Sequence, residues 1–354
     1  MTKPVLNTQL YAQIVGLLQA ARENVIHTVN RTMVLTYFEI GRMIVEEEQN
    51  GKERADYGKA LLKELSHQLT NEFGKGFSVD NLENMRRFYL VYKNSETLSR
   101  ISKNQISEAP LRKSTASAPE NLNLSWSHYL TLIRIENDDE RSFYEIESRN
   151  NNWSVRELKR QFDSGLFARL ALSRDKKQVK ELSEKGLVIE QPKDVIKDPY
   201  ILEFLGLPER SFYTESELEQ EIIDKLEHFL LELGNGFAFV GRQVRFTFDE
   251  EHFRIDLVFY NRLLKCFVLI DLKIGKLKHQ DLGQMQMYVN YYDRFVKLDD
   301  ENKTIGIILC RDKKDAIVEI TLPENNQQVF ASKYELVLPS KEQLKKLIQS
   351  ESNG

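Results

Sequence analysis

Asp256 in "HFRIDLVFY", and Asp271 and Lys273 in "CFVLIDLKI", set charge inside two of the most apolar stretches of this 354-residue chain. Charge in a hydrophobic strand is costly unless something pairs with it or binds it. Both segments are rich in β-branched and aromatic residues, and "NRLLK" between them suits a hairpin turn. That hairpin sets Asp256 opposite or nearly opposite Asp271. Opposed Cβ atoms lie about 4.5–5.5 Å apart, and like charges so placed repel. The period of two puts Lys273 on the face of Asp271, with Ile270, Leu272 and Ile274 on the other. Two carboxylates and an ammonium on one face suit Mg²⁺, with Mn²⁺ as substitute, bound through carboxylates, waters and a substrate phosphate while Lys273 orients or activates a water. The plainer reading is an Asp–Lys ion pair near a sheet edge, with the second aspartate solvated.

The segment "ESELEQEIIDKLEHFLLELG" reads as one helix closing on Gly234. On it Glu219 shares the face of Ile223, Leu226 and Leu230, so it points toward the sheet, while Glu217 and Glu221 flank that face. Glu219 is therefore the candidate third acid; helix-N-terminal charge favouring the macrodipole is the alternative for all three glutamates. Beyond the third strand, Gln280, Gln284 and Tyr288 form a stripe at steps of four beside the carboxylates, able to bond phosphate or bases. Lys276, Lys278 and His279 precede that helix and are candidate phosphate contacts, or merely solvated loop residues.

These residues need a scaffold. From about residue 195 the pattern reads α-β-β-β-α-β: the helix above, strands "FAFVGRQVRFTF", "HFRIDLVFY" and "CFVLIDLKI", the helix "HQDLGQMQMYVNYYDRF", and the strand "TIGIILC". "YELVLP" is a candidate further strand, and "SKEQLKKLIQ" a terminal helix from Ser340. Upstream the chain is helical, in "YAQIVGLLQAARENVIHTV", "MVLTYFEIGRMIVEEEQ" and "YGKALLKELSHQLTNEF". A glycine-bearing turn, "GKGFS", then leads into "VDNLENMRRFYLVYK", with Ser78 as its cap. This is a helix-turn-helix pattern whose second helix would offer Asn81, Asn84, Arg86 and Arg87 to a DNA groove; packing within an α-bundle is the competing account. Residues 93–123 read as a mobile linker. "WSVRELKRQF" opens with a capping box, Ser154 and Glu157, on a helix whose Arg156, Lys159 and Arg160 suit a solvated face. The expected organisation is a helical DNA-binding domain over 1–172, a connector over 173–200, and an α/β domain over 201–354.

A net charge of −4 gives no global argument for nucleic-acid binding, so the case rests on local residues. No apolar run approaches the roughly 20 residues of a membrane span, and "MTKPVLNTQLYAQ" lacks an apolar signal core, which points to the cytoplasm. Cys266 and Cys310 lie in apolar runs without metal-ligand spacing and read as buried thiols.

Asp256, then Asp271-Leu-Lys273 on consecutive strands with an acid on the preceding helix, resembles the PD-(D/E)XK nuclease superfamily. Gln284-x-x-x-Tyr288 resembles the additional motif of its RecB-like members. Longer phrases resemble the YhcG-type nucleases: "FLLELGNGFAFVGRQ", "IDLVFYNRLLKCFVLIDLKIG", "LGQMQMYVNYYD" and "IGIILC", and upstream "YFEIGRMIVEEE", "YGKALLKELSHQL", "FGKGFSVDNLENMRRFY" and "WSVRELKRQ". Ile255 stands in place of the proline of the superfamily name, and Asp271 where glutamate is common. The resemblance implies a restriction-endonuclease-like domain behind a helical, winged-helix-like DNA-binding region. It implies a metal-dependent phosphodiesterase of recombination, restriction or phage defence, with Asp256, Asp271 and Glu219 around the metal and Lys273 catalytic. A non-cleaving DNA-binding or complex-assembly protein and an RNA-directed nuclease remain open, as does homo-oligomerisation; the intact Asp256, Asp271 and Lys273 argue against the first.

Overall fold

The computed structural model describes residues 8–50, 55–93, 122–172, 176–207 and 213–340. The chain divides into two compact units, residues 1–141 with 148–155, and residues 142–147 with 156–354.

In the helical unit, α1 runs unbroken from Thr8 to Asn50, followed by α2 (Ala55–Phe73), α3 (Val79–Tyr92) and α4 (Trp126–Leu132); further along the chain come α5 (Asp138–Asn150) and, in the second unit, α8 (Lys176–Lys185). The two helices expected within residues 11–49 are thus one. Their apolar stripes change face near Val29, but "VNRTM" holds neither glycine nor proline to break the backbone. Thr28, Thr32 and Thr36 instead donate their hydroxyls to carbonyls one turn back. Ser78 caps α3 as expected, accepting from Asn81 N. Ile44, Leu62, Leu82 and Met85 form a core where α1, α2 and α3 meet. At Gly41 the backbone of α3 passes so close that a Cβ would strike the Met85 carbonyl. The expected linker lies almost wholly outside the described residues.

The second unit carries a six-stranded sheet in the order β1-β6-β5-β4-β3-β2, built from β1 (Tyr200–Ile201), β2 (Phe237–Phe248), β3 (Glu251–Asn261), β4 (Cys266–Lys276), β5 (Ile305–Asp312) and β6 (Val329–Glu335). Strands β2, β3 and β4 are antiparallel neighbours, whereas β4, β5, β6 and β1 run parallel. One face packs Leu257, Phe259, Val268, Ile270 and Leu272 against Leu218, Ile222, Phe229 and Leu233. The other packs Ile255, Val258, Leu269 and Ile308 against α11 (His279–Phe295), through Leu282, Met285, Tyr288 and Val289. Cys266 and Cys310 are buried free thiols, and burial pushes both up, to about 12 and about 11.

Three expectations need correction. The helix leading to β2 is two, α9 (Glu215–Asp224) and α10 (Leu226–Leu233), because Lys225 leaves helical geometry at φ −121° and ψ 33°. The sixth strand begins at Val329, ahead of "YELVLP", since its parallel pairing with β5 starts at Gly306↔Val329. Arg160, on α6 (Val155–Asp163), does not lie on a solvated face. It binds Glu203 at 2.8 Å and, with Arg169 of α7 (Leu166–Leu172), clasps the fully buried Glu232 at 3.2 and 2.6 Å. The amine of Lys197 donates to the Glu232 carbonyl. Burial works against the charge of Glu232, yet Arg169, Lys197 and Arg160 hold it down at about 2. The candidate helix from Ser340 lies outside the described residues. Among the described residues no helix is long and apolar enough to cross a membrane.

Candidate active site

Strands β3 and β4 pair from Asn261↔Cys266 to Leu257↔Ile270, and the next pair in that register is Asp256 with Asp271. The ladder stops there. In place of a main-chain carbonyl, Asp256 Oδ2 accepts the Leu272 N–H at 2.8 Å. The carboxylate is thus built into the end of the hairpin, facing Asp271 where the strands part. Lys273, one pleat on, holds Asp271 Oδ2 at 2.8 Å and lies 3.8 Å from Glu215 of α9.

The electrostatics follow from this crowding. Burial, and then the neighbouring Asp256 charge, push Asp271 up to about 7, with Lys273 pulling against them. Burial disfavours the Lys273 ammonium, but Asp271, Glu215 and Asp256 outweigh it and raise the amine to about 12. Lys273 therefore stays protonated at neutral pH.

Glu219 is buried, on the face of Leu218 and Ile222 rather than of Ile223, which is only partly buried. It does not touch the aspartates directly. The Gln243 amide on β2 donates to Glu219 and, at 3.0 Å, to Asp256 Oδ1. Burial raises the Glu219 carboxyl, Gln243 lowers it, and Asp256 raises it again. Gln243 takes φ +48°, a left-handed conformation costly for a non-glycine residue in a strand. Among the described residues no group of three or more His, Cys, Asp or Glu side chains is gathered for a metal ion. The acidic set is two adjacent carboxylates, with Glu219 joined to them through an amide.

Gln243 was missed from the sequence because an uncharged residue in a strand raises no alarm. Its signal was available: β2 pairs Arg242↔Leu257 and Val244↔Ile255, so the hairpin places Gln243 opposite Asp256.

The remaining candidates divide. Lys276, Lys278, His279, Gln280 and Gln284 are exposed at the start of α11 and just before it. Tyr288, 1% exposed, is instead a strut: its hydroxyl donates to the Arg254 carbonyl at 3.0 Å and receives the Gln284 amide. In the helical unit, Asn81 is used inside the fold, donating to Gly76 O and accepting from Trp126 at 3.0 Å. Arg86 is bound by Glu48 at 2.7 Å and Glu83 at 3.1 Å. Asn84 is half-buried and Arg87 exposed.

Residues 193–349 match the model of the YhcG PDDEXK nuclease domain, and residues 13–169 that of the DUF1016 N-terminal domain. The chain is 40% identical over 347 residues to the Escherichia coli (strain K12) protein named "Putative nuclease YhcG", covering 95% of this chain and 92% of that one. Among solved structures, a repair endonuclease from Pyrococcus abyssi aligns at TM-score 0.25 and 17% identity, over 36% of this chain and 50% of that chain. EndoMS in its dsDNA2 complex aligns at 0.26 and 15%, over 38% and 51%. Scores this low give these two matches no weight.

Proposed function

Because the chain belongs to the YhcG family of nucleases, with the family's PDDEXK nuclease domain and DUF1016 N-terminal domain, we propose that it hydrolyses phosphodiester bonds in DNA with a divalent cation at Asp256 and Asp271. The observation that carries this reading is the pair of aspartates aligned at the end of the β3–β4 ladder, with Lys273 2.8 Å from Asp271. Burial, and then the charge of the half-buried Asp256, drive Asp271 up to about 7, a cost which a cation would offset. The donors are hard oxygens, as Mg²⁺ and Mn²⁺ prefer, and Mg²⁺ is commonly held by only one or two carboxylates plus waters and phosphate. When bound, the cation would polarise the scissile phosphate and lower the pKa of a water.

The chain's own groups do the rest. Asp256, fixed by the Leu272 N–H and the Gln243 amide, presents a pre-oriented carboxylate. Lys273, protonated at neutral pH, is placed to stabilise charge developing on the phosphate oxygens or to hold a water, and is unsuited to remove a proton. Glu219 acts through Gln243, keeping the Asp256 carboxylate turned toward Asp271. Lys276, Lys278 and Gln284 supply exposed donors to the nucleic-acid backbone. The reading takes DNA rather than RNA from the helix-turn-helix pattern of the sequence, of whose candidate contacts Arg87 is exposed, and takes from the family resemblance a role in recombination, restriction or phage defence.

The test is cleavage of labelled duplex, single-stranded and branched DNA, and of RNA, by the purified protein with Mg²⁺, Mn²⁺ or chelator. DNA cut only with cation, and not by Asp256→Ala, is expected. Undiminished cutting in excess chelator would sink the metal assignment, and DNA retained without product would make the protein a binder.

A further inference from the structure

Strand β2 crosses β3 with Arg245 directly opposite Arg254. Like charges in directly opposed positions disfavour a sheet unless an opposite charge nearby offsets them. None serves here. Both arginines are exposed, and among the described residues neither side chain has an ion pair or hydrogen bond. The acids of the hairpin tip, Asp249, Glu250 and Glu251, are likewise exposed and make no ion pair with either. The neighbouring Arg242 differs, since its guanidinium donates to Gln220 at 2.8 Å.

The alternation of the strands fixes where the pair points. Val244 and Phe246 on β2, and Phe253 and Ile255 on β3, pack into the core shared with α11. Arg245 and Arg254 lie between them and face the other way, the side on which Gln243 reaches Glu219. Gln243 and Asp256 are the next opposed positions along the same hairpin, two residues from the arginines on each strand. Two residues of strand span about 6.8 Å, comparable to the step between successive phosphates of a nucleic-acid strand. The two arginine positions thus stand one phosphate step along the hairpin from Asp256, where the scissile bond is proposed to lie, and the Tyr288 hydroxyl fixes the β3 backbone there by its bond to Arg254 O.

We infer that Arg245 and Arg254 form a seat for a backbone phosphate adjacent to the scissile one, completed when a nucleic-acid strand supplies the anion that the opposed arginines lack. The ligand is a phosphodiester, bound without regard to base, because guanidinium forks match phosphate oxygens and no base-reading group accompanies them. The inference rests on the nuclease reading above.

The experiment measures binding of a fluorescein-labelled oligonucleotide to the full chain in chelator, over a series of salt concentrations. The variants are Arg245→Gln, Arg254→Gln, both together, and Arg262→Gln, an exposed arginine in the turn between β3 and β4. On a duplex oligonucleotide the double variant is expected to lower the slope of log affinity against log salt by roughly 0.9, the loss of one seated phosphate, and each single variant by less. Arg262→Gln should leave it unchanged. The thermal midpoint of the double variant should hold or rise, since the opposed charges are gone. Should that variant fold poorly, Arg245→Lys with Arg254→Lys keeps the charge and must keep the slope. A double glutamine variant that binds with the parent's affinity and slope overturns this inference alone. A parent that binds no oligonucleotide overturns it together with the nuclease reading.

Discussion

Asparagine at position 271 keeps the shape of the aspartate and removes its charge, which makes Asp271→Asn in metal-free protein a direct measure of what burial, and then the Asp256 charge, cost an ionised Asp271. In the fold Asp271 stands at about 7 against an ordinary 3.8, so it binds its proton more tightly folded than unfolded. The stabilisation from that proton is complete below the unfolded value and disappears as pH rises through the folded one. About three pKa units at about 1.4 kcal/mol each give a loss on the order of 4 kcal/mol between about pH 4 and pH 8. The wild-type profile minus the variant profile isolates the Asp271 carboxyl in its buried place beside the Asp256 charge. Lys273 also loses its Asp271 partner, but that attraction arises only as Asp271 ionises and is already contained in its position at about 7, so the slope remains the observable. Tryptophan emission would miss the event, because Trp126 and Trp153 belong to the helical unit. Both cysteines lie buried in the sheet, so thiol labelling after equilibration in urea and chelator reports the right transition. The wild type should lose stability steadily from pH 4 to pH 8 and Asp271→Asn much less; parallel profiles would refute the pairing.

Lys273→Met should lower the cleavage rate on the order of 10²- to 10³-fold while a Mn²⁺ titration by calorimetry stays near the parent's, as a charge-stabilising group requires. Equal loss of metal would assign the lysine a structural role. Gln243→Leu should destabilise the metal-free sheet by about 1–3 kcal/mol in the thiol assay, because Glu219 and Asp256 lose their shared donor. Glu232→Ala should cost about 3–5 kcal/mol in the same assay, since Arg169 and Lys197 are then buried without their counter-charge; a cost below 1 kcal/mol would contradict the geometry. Arg86→Ala should destabilise the helical unit by tryptophan-monitored unfolding, whereas Arg87→Ala should leave stability alone and lower the salt slope of DNA binding by roughly one.

The sequence by itself carried the hairpin and its register. Alternating apolar residues on either side of "NRLLK" leave little choice of pairing, because a slip by one residue would turn Ile270 and Leu272 out of the core. Asp256 beside Asp271, with Lys273 one pleat away, followed from that alone. The inward turn of Glu219 was also legible, because a helix facing a sheet exposes its wrong residues quickly, even though the helix breaks at Lys225 and the stripe lies one residue off. Partners distant in sequence and polar in character were settled only by the tertiary structure. Nothing local says that Arg160 meets Glu232, that Arg86 is taken by Glu48, or that Tyr288 braces the Arg254 carbonyl instead of meeting a ligand. A charged or polar side chain reads the same in sequence whether it is solvated, paired inside the fold or waiting for a ligand. Gln243 shows the difference most plainly, since its amide matters only because Glu219 and Asp256 come to either side of it. Apolar periodicity is a local consequence of burial and can be read along the chain, whereas the satisfaction of polar groups is a property of three-dimensional neighbours and cannot.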